Sequence, residues 1–281
     1  MGRRGTITMV KVLEQEENAV GATVFPFKKP QQVEIEIQGL SKVYKTSKGI
    51  FEALKEVDLH VNNEEFVTIL GPSGCGKSTI LRILAGLEDY DGGSVTVGGE
   101  EVIGPSVKRG MVFQSYTLFP WLTVRENIEF GLKLKGMPQA ERRAISDRYL
   151  RIVDLEQFAD SYGKELSGGM KQRVAIARSL ANNPEVLLMD EPFGALDAQT
   201  KQSMQQLLLD IWKKEKTTIV FITHDIDEAL FLSQRIYIME ARPGRIIEEI
   251  DADLGLFENG ELVDVEKFMK TKKHIVSLLK H

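Results

Sequence analysis

The nine residues Gly71-Pro72-Ser73-Gly74-Cys75-Gly76-Lys77-Ser78-Thr79 constrain this chain more than any other segment. They follow an apolar run, Val67-Thr68-Ile69-Leu70, and precede helical spacing over 78–87. The pattern is G-x-x-x-x-G-K-[ST], in the strand–turn–helix setting that gives it meaning. Its glycines let successive backbone N–H groups close round phosphate oxygens, and the helix start adds partial positive charge. Lys77 is placed to reach the β- and γ-phosphates of a nucleoside triphosphate, and the Ser78 hydroxyl to ligate Mg²⁺. The loop implies a triphosphate and leaves the reaction open, since ATPases, GTPases and kinases all use it.

The rest of the chain reads as α/β. Residues 33–37 alternate, with Val33, Ile35 and Ile37 on one side and Glu34 and Glu36 on the other, as in a half-buried strand. Further strand signals at 57–61, 66–70 and 94–97, with turns at Asp91-Gly92-Gly93 and Gly98-Gly99, predict a small, mostly antiparallel sheet. A short strand at 110–114 stops at Gln114. Between 115 and 165 the β pattern gives way to helical spacing at 123–134 and 140–155, an insert of helices. Strands at 185–190 and 217–222 then alternate with helices at 168–182, 198–215 and 225–233, which is the mark of a parallel sheet. Strands at 235–240 and 245–250 close the core, and 263–280 is amphipathic and basic. The organisation expected is a tail over 1–32, a nucleotide-binding domain over 33–250 with the helical insert at 115–165, and a helical extension over 251–281.

Two carboxylates end the apolar run Val186-Leu187-Leu188-Met189. Asp190 is suited to hold Mg²⁺ through its water shell, and Glu191, just beyond, to polarise an attacking water. His224 follows the strand predicted to lie beside that one, so both ends face the same γ-phosphate. The Gln114 amide is placed to touch metal water and γ-phosphate. In isolation each of these has an ordinary reading, as a strand-end charge, a satisfied polar residue or an exposed amide.

Leu166-Ser167-Gly168-Gly169-Met170 opens another helix. Ser167 suits an N-cap, and the paired glycines free backbone N–H groups at a positive helix end. The chain therefore has two phosphate-binding helix ends and one phosphate loop. A head-to-tail pair resolves the mismatch by letting the second end serve the partner's nucleotide.

Together these residues resemble the nucleotide-binding subunit of ATP-binding cassette transporters over about 34–250. The resemblance covers the loop 71–79, Gln114 at the glutamine loop, 166–170 at the signature, and 186–191 at the second nucleotide motif. Ala195-Leu196-Asp197 looks like the family's D-loop, His224 like its switch histidine, and Tyr44 like the aromatic residue that stacks on adenine. Met170 stands where the familiar signature ends in Gln. Leu118-Phe119-Pro120-Trp121-Leu122-Thr123-Val124, Met170-Lys171-Gln172-Arg173 and Ala241-Arg242-Pro243-Gly244-Arg245-Ile246 look like the nitrate/sulfonate/taurine/bicarbonate importer group. The fold so implied is a P-loop NTPase core with a mostly parallel sheet, an antiparallel β subdomain and the helical insert.

The resemblance implies catalytic roles for Glu191, His224, Lys77 and Gln114, and metal contacts from Ser78, Gln114 and Asp190. It implies nucleotide contacts from Tyr44, 71–79, Ser167, Gly168, Gly169 and Asp197. The cofactors implied are ATP and Mg²⁺. The partners are a second copy, integral membrane permease subunits that dock on the helical insert and, indirectly, a solute-binding protein, with the chain on the cytoplasmic face of the membrane. In that setting Trp121 either faces the permease or packs internally.

Bulk properties fit. Among 281 residues, 42% are hydrophobic and 27% charged, the net charge is −5, and Cys75 is the only cysteine. That leaves no disulfide framework and no general affinity for nucleic acid. No apolar run reaches the ~20 residues that cross a bilayer. Arg3-Arg4 lacks a following apolar stretch, so no secretory leader is expected. Met1-Gly2 with Thr6 fits a permissive myristoylation pattern by coincidence. Two other classes remain: a soluble cassette ATPase acting on nucleic acid or the ribosome, and an ATP-sensing regulatory subunit.

Overall fold

The computed structural model describes residues 32–47, 49–115, 117–252, 256–258 and 261–280. The tail expected at 1–32, with its Arg3-Arg4 and Gly2, lies outside the described residues apart from Gln32. Strand β1 (Val33–Thr46) pairs antiparallel with β2 (Gly49–Asn62) through the whole of its length. Sequence alternation had marked only 57–61 of β2. Its first half is largely exposed on both faces, so no apolar period signals it.

The apolar strand β3 (Phe66–Leu70) feeds the phosphate loop and helix α1 (Lys77–Leu84). The helix stops three residues before the expected 87, and Gly86 sits at φ +72 where the chain turns. β4 (Gly92–Val97) pairs with β1, and β5 (Glu100–Glu101) completes a sheet of order β2-β1-β4-β5. Gly92 and Gly93, expected in a turn, are the first residues of β4. A Cβ on Gly93 would meet the Gln38 carbonyl oxygen at 2.4 Å, so glycine is required by the close approach of β1.

β6 (Arg109–Val112) ends two residues earlier than the sequence suggested, leaving Gln114 in a bend beyond it. The insert follows as α2 (Val124–Leu134) and α3 (Gln139–Ile152). α2 starts on a full capping box: the Thr123 hydroxyl accepts from the Glu126 N–H at 3.2 Å, and the Thr123 N–H donates to Glu126 at 2.8 Å. Asn127, fully buried, accepts from the Phe119 N–H at 2.9 Å and donates to the Thr123 carbonyl at 2.8 Å. It thus staples 119–123 onto α2 and leaves Trp121 outside, 69% exposed, against Phe119 with ring centroids 5.6 Å apart. Of the two placements open to Trp121, the outward one holds.

Helix α4 (Gly168–Leu180), strand β7 (Val186–Asp190), helix α5 (Ala198–Glu215), strand β8 (Thr218–Thr223), helix α6 (Ile226–Leu232), and strands β9 (Arg235–Glu240) and β10 (Arg245–Asp251) complete the core. The six-stranded sheet has the order β10-β9-β3-β8-β7-β6, parallel except where β10 meets β9. β3 and β8 are buried at every position and β7 at all but its last, as expected where helices or a second sheet cover both faces. Period-two alternation splits their side chains between two cores. Phe66, Leu187, Met189 and Phe221 join the α2–α5 side, and Val67, Ile69, Leu188 and Ile222 join α1 and the antiparallel sheet.

The chain finishes with the hairpin β11 (Phe257–Glu258) and β12 (Glu261–Leu262) and helix α7 (Val265–Leu278). Phe268 and Ile275 of α7 are buried in a third cluster beneath α6 and β9. No described helix is long and apolar enough to cross a membrane.

Gly244, within the 241–246 run noted above, supports the phosphate loop from behind. Its N–H donates to the Ala53 carbonyl and its carbonyl accepts from the Lys55 N–H, both at 3.0 Å. A Cβ there would fall 2.0 Å from the Cys75 carbonyl oxygen and 2.8 Å from that of Ala53. Both are backbone atoms that no side-chain rotation can clear. Gly244→Ala is expected to lower stability by ~1–3 kcal/mol through overpacking, read as a lower urea midpoint, and to weaken ATP binding through the displaced loop.

Candidate active site

The site forms where β3, β8 and β7 end side by side. Gly76 takes φ +99, a conformation suited to glycine, and turns the chain from the loop into α1. The loop floors a cavity of about 310 Å³ with Ser73, Gly74 and the segment Gly76 to Thr79. Tyr44, Phe51 and Ala53 form one wall, and Glu191 faces them. Gly71, Pro72 and Cys75, expected among the nucleotide contacts, do not line the cavity. Cys75 is 1% exposed and tucked behind the loop, where burial pushes its thiol pKa up.

Lys77 is buried and holds the loop's shape: its ammonium donates to the Gly71 carbonyl at 2.8 Å and the Pro72 carbonyl at 3.0 Å. The Ser78 hydroxyl donates to Asp190 at 2.9 Å. Burial raises the Asp190 pKa, with the Ser78 hydrogen bond drawing it back and the Glu191 charge adding to the rise. Ser78 and Asp190 offer hard oxygen donors beside the cavity, which suits Mg²⁺. Among the described residues no group of three His, Cys, Asp or Glu side chains makes a self-sufficient metal cage. The donor set therefore fits an ion carried in with phosphate oxygens, the usual arrangement for Mg²⁺.

Parallel register carries the catalytic candidates together. Asp190 stands opposite Ile222, so Glu191 and His224 leave neighbouring strands at nearly the same level. Glu191 sits at φ +42, unusual for a side-chain-bearing residue, with its N–H held by the Ile222 carbonyl at 3.1 Å. That turn brings its carboxylate to 3.0 Å from His224 Nδ1. Glu191 is mostly buried, with a side chain 19% exposed, and His224 is open at 58%. Gln114, although past its strand, arrives at the same place. Its Nε2 and the Glu191 carboxylate lie 3.7 and 3.9 Å from the point where a Gly194 Cβ would sit.

Ser167, Gly168, Gly169 and Asp197 are not brought to this cavity. Ser167 caps α4 as expected, its hydroxyl accepting from the Met170 N–H at 3.3 Å. Asp197 caps α5, accepting from the Thr200 N–H at 3.0 Å, a bond that lowers its pKa. A Cβ on Gly169 would lie 2.6 Å from the Thr200 side chain, so these four residues form a second cluster of their own.

Phe51 and Ala53 were missed by sequence reading. Phe51 is 45% exposed and pairs with Tyr44 across the hairpin. Each lies two residues from the last described pair of the hairpin, Thr46 with Gly49, the one signal that would have found Phe51. The Tyr44 hydroxyl bonds to Glu88 and lies 3.5 Å from that of Thr79, which fixes the ring at the cavity's edge.

Comparison with known proteins agrees with this geometry. A family model described as ABC transporter matches residues 54–194. The chain is 53% identical over 220 residues to the nitrate import ATP-binding protein NrtD of Synechocystis, covering 78% of this chain and 83% of that one. It is 45% identical over 249 residues to the taurine import ATP-binding protein TauB of Pelagibacter ubique, covering 86% and 93%. Among solved structures, a dimeric post-hydrolysis state of the ATP-binding cassette MJ0796 bound to ADP and Pi superposes with TM-score 0.70 at 37% identity, over 78% of this chain and 98% of that one. The chain belongs to the ABC transporter family, as one of its nucleotide-binding ATPase cassettes with the P-loop NTPase fold.

If Tyr44 and Phe51 form the base-stacking wall, Phe51→Ala should weaken ATP binding by about fivefold to tenfold, near 1 kcal/mol, the scale of one aromatic stacking contact. Titration with a fluorescent ATP analogue would measure this, and an unchanged urea midpoint would show that the fold is intact.

Proposed function

We propose that this chain is the ATP-hydrolysing subunit of a membrane importer for a small anion such as nitrate, a sulfonate, taurine or bicarbonate. The observation that carries the hydrolytic part is the Glu191 turn, which holds a carboxylate against His224 over the phosphate loop. In this reading Glu191 takes a proton from water as the water oxygen bonds to the γ-phosphorus and the bond to the ADP oxygen breaks. Lys77 and His224 offset the charge that develops on the γ-phosphate oxygens, in fixed positions that need no reorganisation. Ser78, Asp190 and Gln114 would hold Mg²⁺, whose bound charge compensates the phosphates. Tyr44 and residues 71–79 hold the nucleotide.

The second cluster suits a homodimer. At the positive end of α4 Ser167 is exposed, Gly168 half-exposed and Gly169 buried, and none of the three lines the chain's own nucleotide cavity. Two copies placed head to tail would let each cluster, with Asp197, complete the other's ATP site. Residues 33–250 would then be the working cassette, 115–165 its partner-facing helical part and 251–281 an extension packed on it.

Permease docking is supported by the surface round Trp121. Hollows of about 800 and 600 Å³ flank the 119–123 segment, one walled by Trp121 and Phe130, the other by Phe113, Phe119 and Leu134. Exposed aromatic anchors of this kind are common at the centres of protein interfaces. Such docking would hold the chain at the cytoplasmic face of the membrane, with the solute-binding protein reached only through the permease. The identity of the nitrate and taurine import relatives supports the anion class.

Glu191→Gln should keep ATP binding and reduce phosphate release by about a hundredfold or more, since the base is lost while the charge-stabilising groups remain. Size-exclusion chromatography with light scattering should then show an ATP-dependent dimer. A variant that releases phosphate at the normal rate would exclude Glu191 as the base. Trp121→Glu should leave ATPase activity of the isolated chain intact and sharply reduce co-purification with permease subunits, as expected for truncating an interface anchor.

A further inference from the structure

His224 is exposed, and no described contact other than Glu191 holds its ring. Its orientation must therefore come from its backbone, and the residues on either side of it are tied down with unusual thoroughness. Thr223 is 2% exposed; its hydroxyl donates to a Glu228 carboxylate oxygen and accepts from the Asp225 N–H at 3.0 Å. One hydroxyl thus closes the turn on both sides of the histidine. Asp225 caps α6, accepting from the N–H groups of Asp227 at 2.9 Å and Glu228 at 3.2 Å.

Glu228 is the unexpected member. It is a carboxylate 4% exposed, and burying one is costly unless every oxygen is engaged. Here both are. One oxygen takes the Thr223 hydroxyl; the other accepts from Gln205 Nε2 at 3.0 Å and lies 3.4 Å from the Lys201 ammonium. Lys201 also donates to Asp225 at 2.7 Å. Both Lys201 and Gln205 belong to α5, the helix that Asp197 caps. None of these groups lines the nucleotide cavity.

We propose that Thr223, Glu228 and Lys201 are positioning residues for hydrolysis, forming a relay from α5 that sets His224 against Glu191. The proposal rests on the reading of His224 as a group that acts on the γ-phosphate. The relay reaches the chemistry only through the histidine's backbone. It therefore bears on the rate of turnover and leaves the nucleotide's own contacts untouched.

The test is steady-state ATPase activity of the full chain for Thr223→Val, Thr223→Ser, Lys201→Met, His224→Ala and the Thr223→Val/His224→Ala pair. Thr223→Val should lower kcat by about tenfold to a hundredfold, the cost of a small misplacement of an acting group. KM for ATP should stay within about twofold, because binding contacts are intact. Thr223→Ser, which restores the hydroxyl, should recover most of the rate. The pair should be no slower than His224→Ala alone, since residues acting as a unit are not additive. If Thr223→Val fails to fold, Lys201→Met at the relay's outer end carries the same prediction of lowered kcat at constant KM.

A Thr223→Val enzyme with normal kcat beside a crippled His224→Ala would overturn the relay and leave the histidine's role standing. Additive losses in the pair would also overturn it, by showing a route that bypasses His224. Normal turnover by His224→Ala would instead remove the histidine reading on which the relay rests.

Discussion

Parallel pairing of β7 with β8, next to β3, is the constraint on which everything else depends. Three neighbouring strands end at one level and deliver the phosphate loop, the Asp190–Glu191 pair and His224 to one crevice. Open α/β sheets bind ligands there because strand ends and helix starts converge at that edge. Side chains 112 residues apart in sequence, Ser78 and Asp190, meet at 2.9 Å only because of that register. A slip of one residue would turn every apolar side chain of β8 to the wrong core and carry His224 away from Glu191.

The two cores explain why that register is firm. Every residue of β3 and β8 is buried, and alternate side chains commit to opposite faces, so the strands have no polar side on which to slide. Rigidity of this kind supports strain at the edge. Glu191 holds a positive φ because its own N–H and carbonyl are bound, to Ile222 at 3.1 Å and to the Gly194 N–H at 3.2 Å. Local cost at the turn is offset by packing beneath it.

What was legible in the sequence follows the same division. Buried strands announce themselves as apolar runs, and the loop 71–79, Glu191 and His224 sit immediately after them, so each was found by position. The first half of β2 carries no apolar period and was not seen, and Phe51 was lost with it. Ends were misjudged where pairing decides them: Gly92 and Gly93 read as a turn until β1 lies beside them, and β6 stops short of Gln114. Trp121 could be placed only once Asn127 was seen to bind the backbone of 119–123. The Thr223–Glu228–Lys201 relay was invisible, because a Glu and a Lys on two polar helix faces read as solvated charges until tertiary packing buries one of them.

The signature turn shows the limit of reasoning from one copy. α1 and α4 both begin with glycine-rich, positively polarised ends, yet only α1 opens onto the chain's own cavity. At α4 the Ser167 hydroxyl serves Met170, and Gly169 leaves room for Thr200, the residue whose N–H Asp197 caps. This cluster is already organised: its caps are made within the chain, and Ser167 and Gly168 at the helix start remain exposed or half-exposed. A phosphate brought to it would meet fixed donors and would have no ordering to impose, the condition under which a charge-assisted contact contributes most. In the proposed homodimer, an organised helix start that lies outside the chain's own cavity is what a reciprocal pair of cassettes would require, each copy finished by the other.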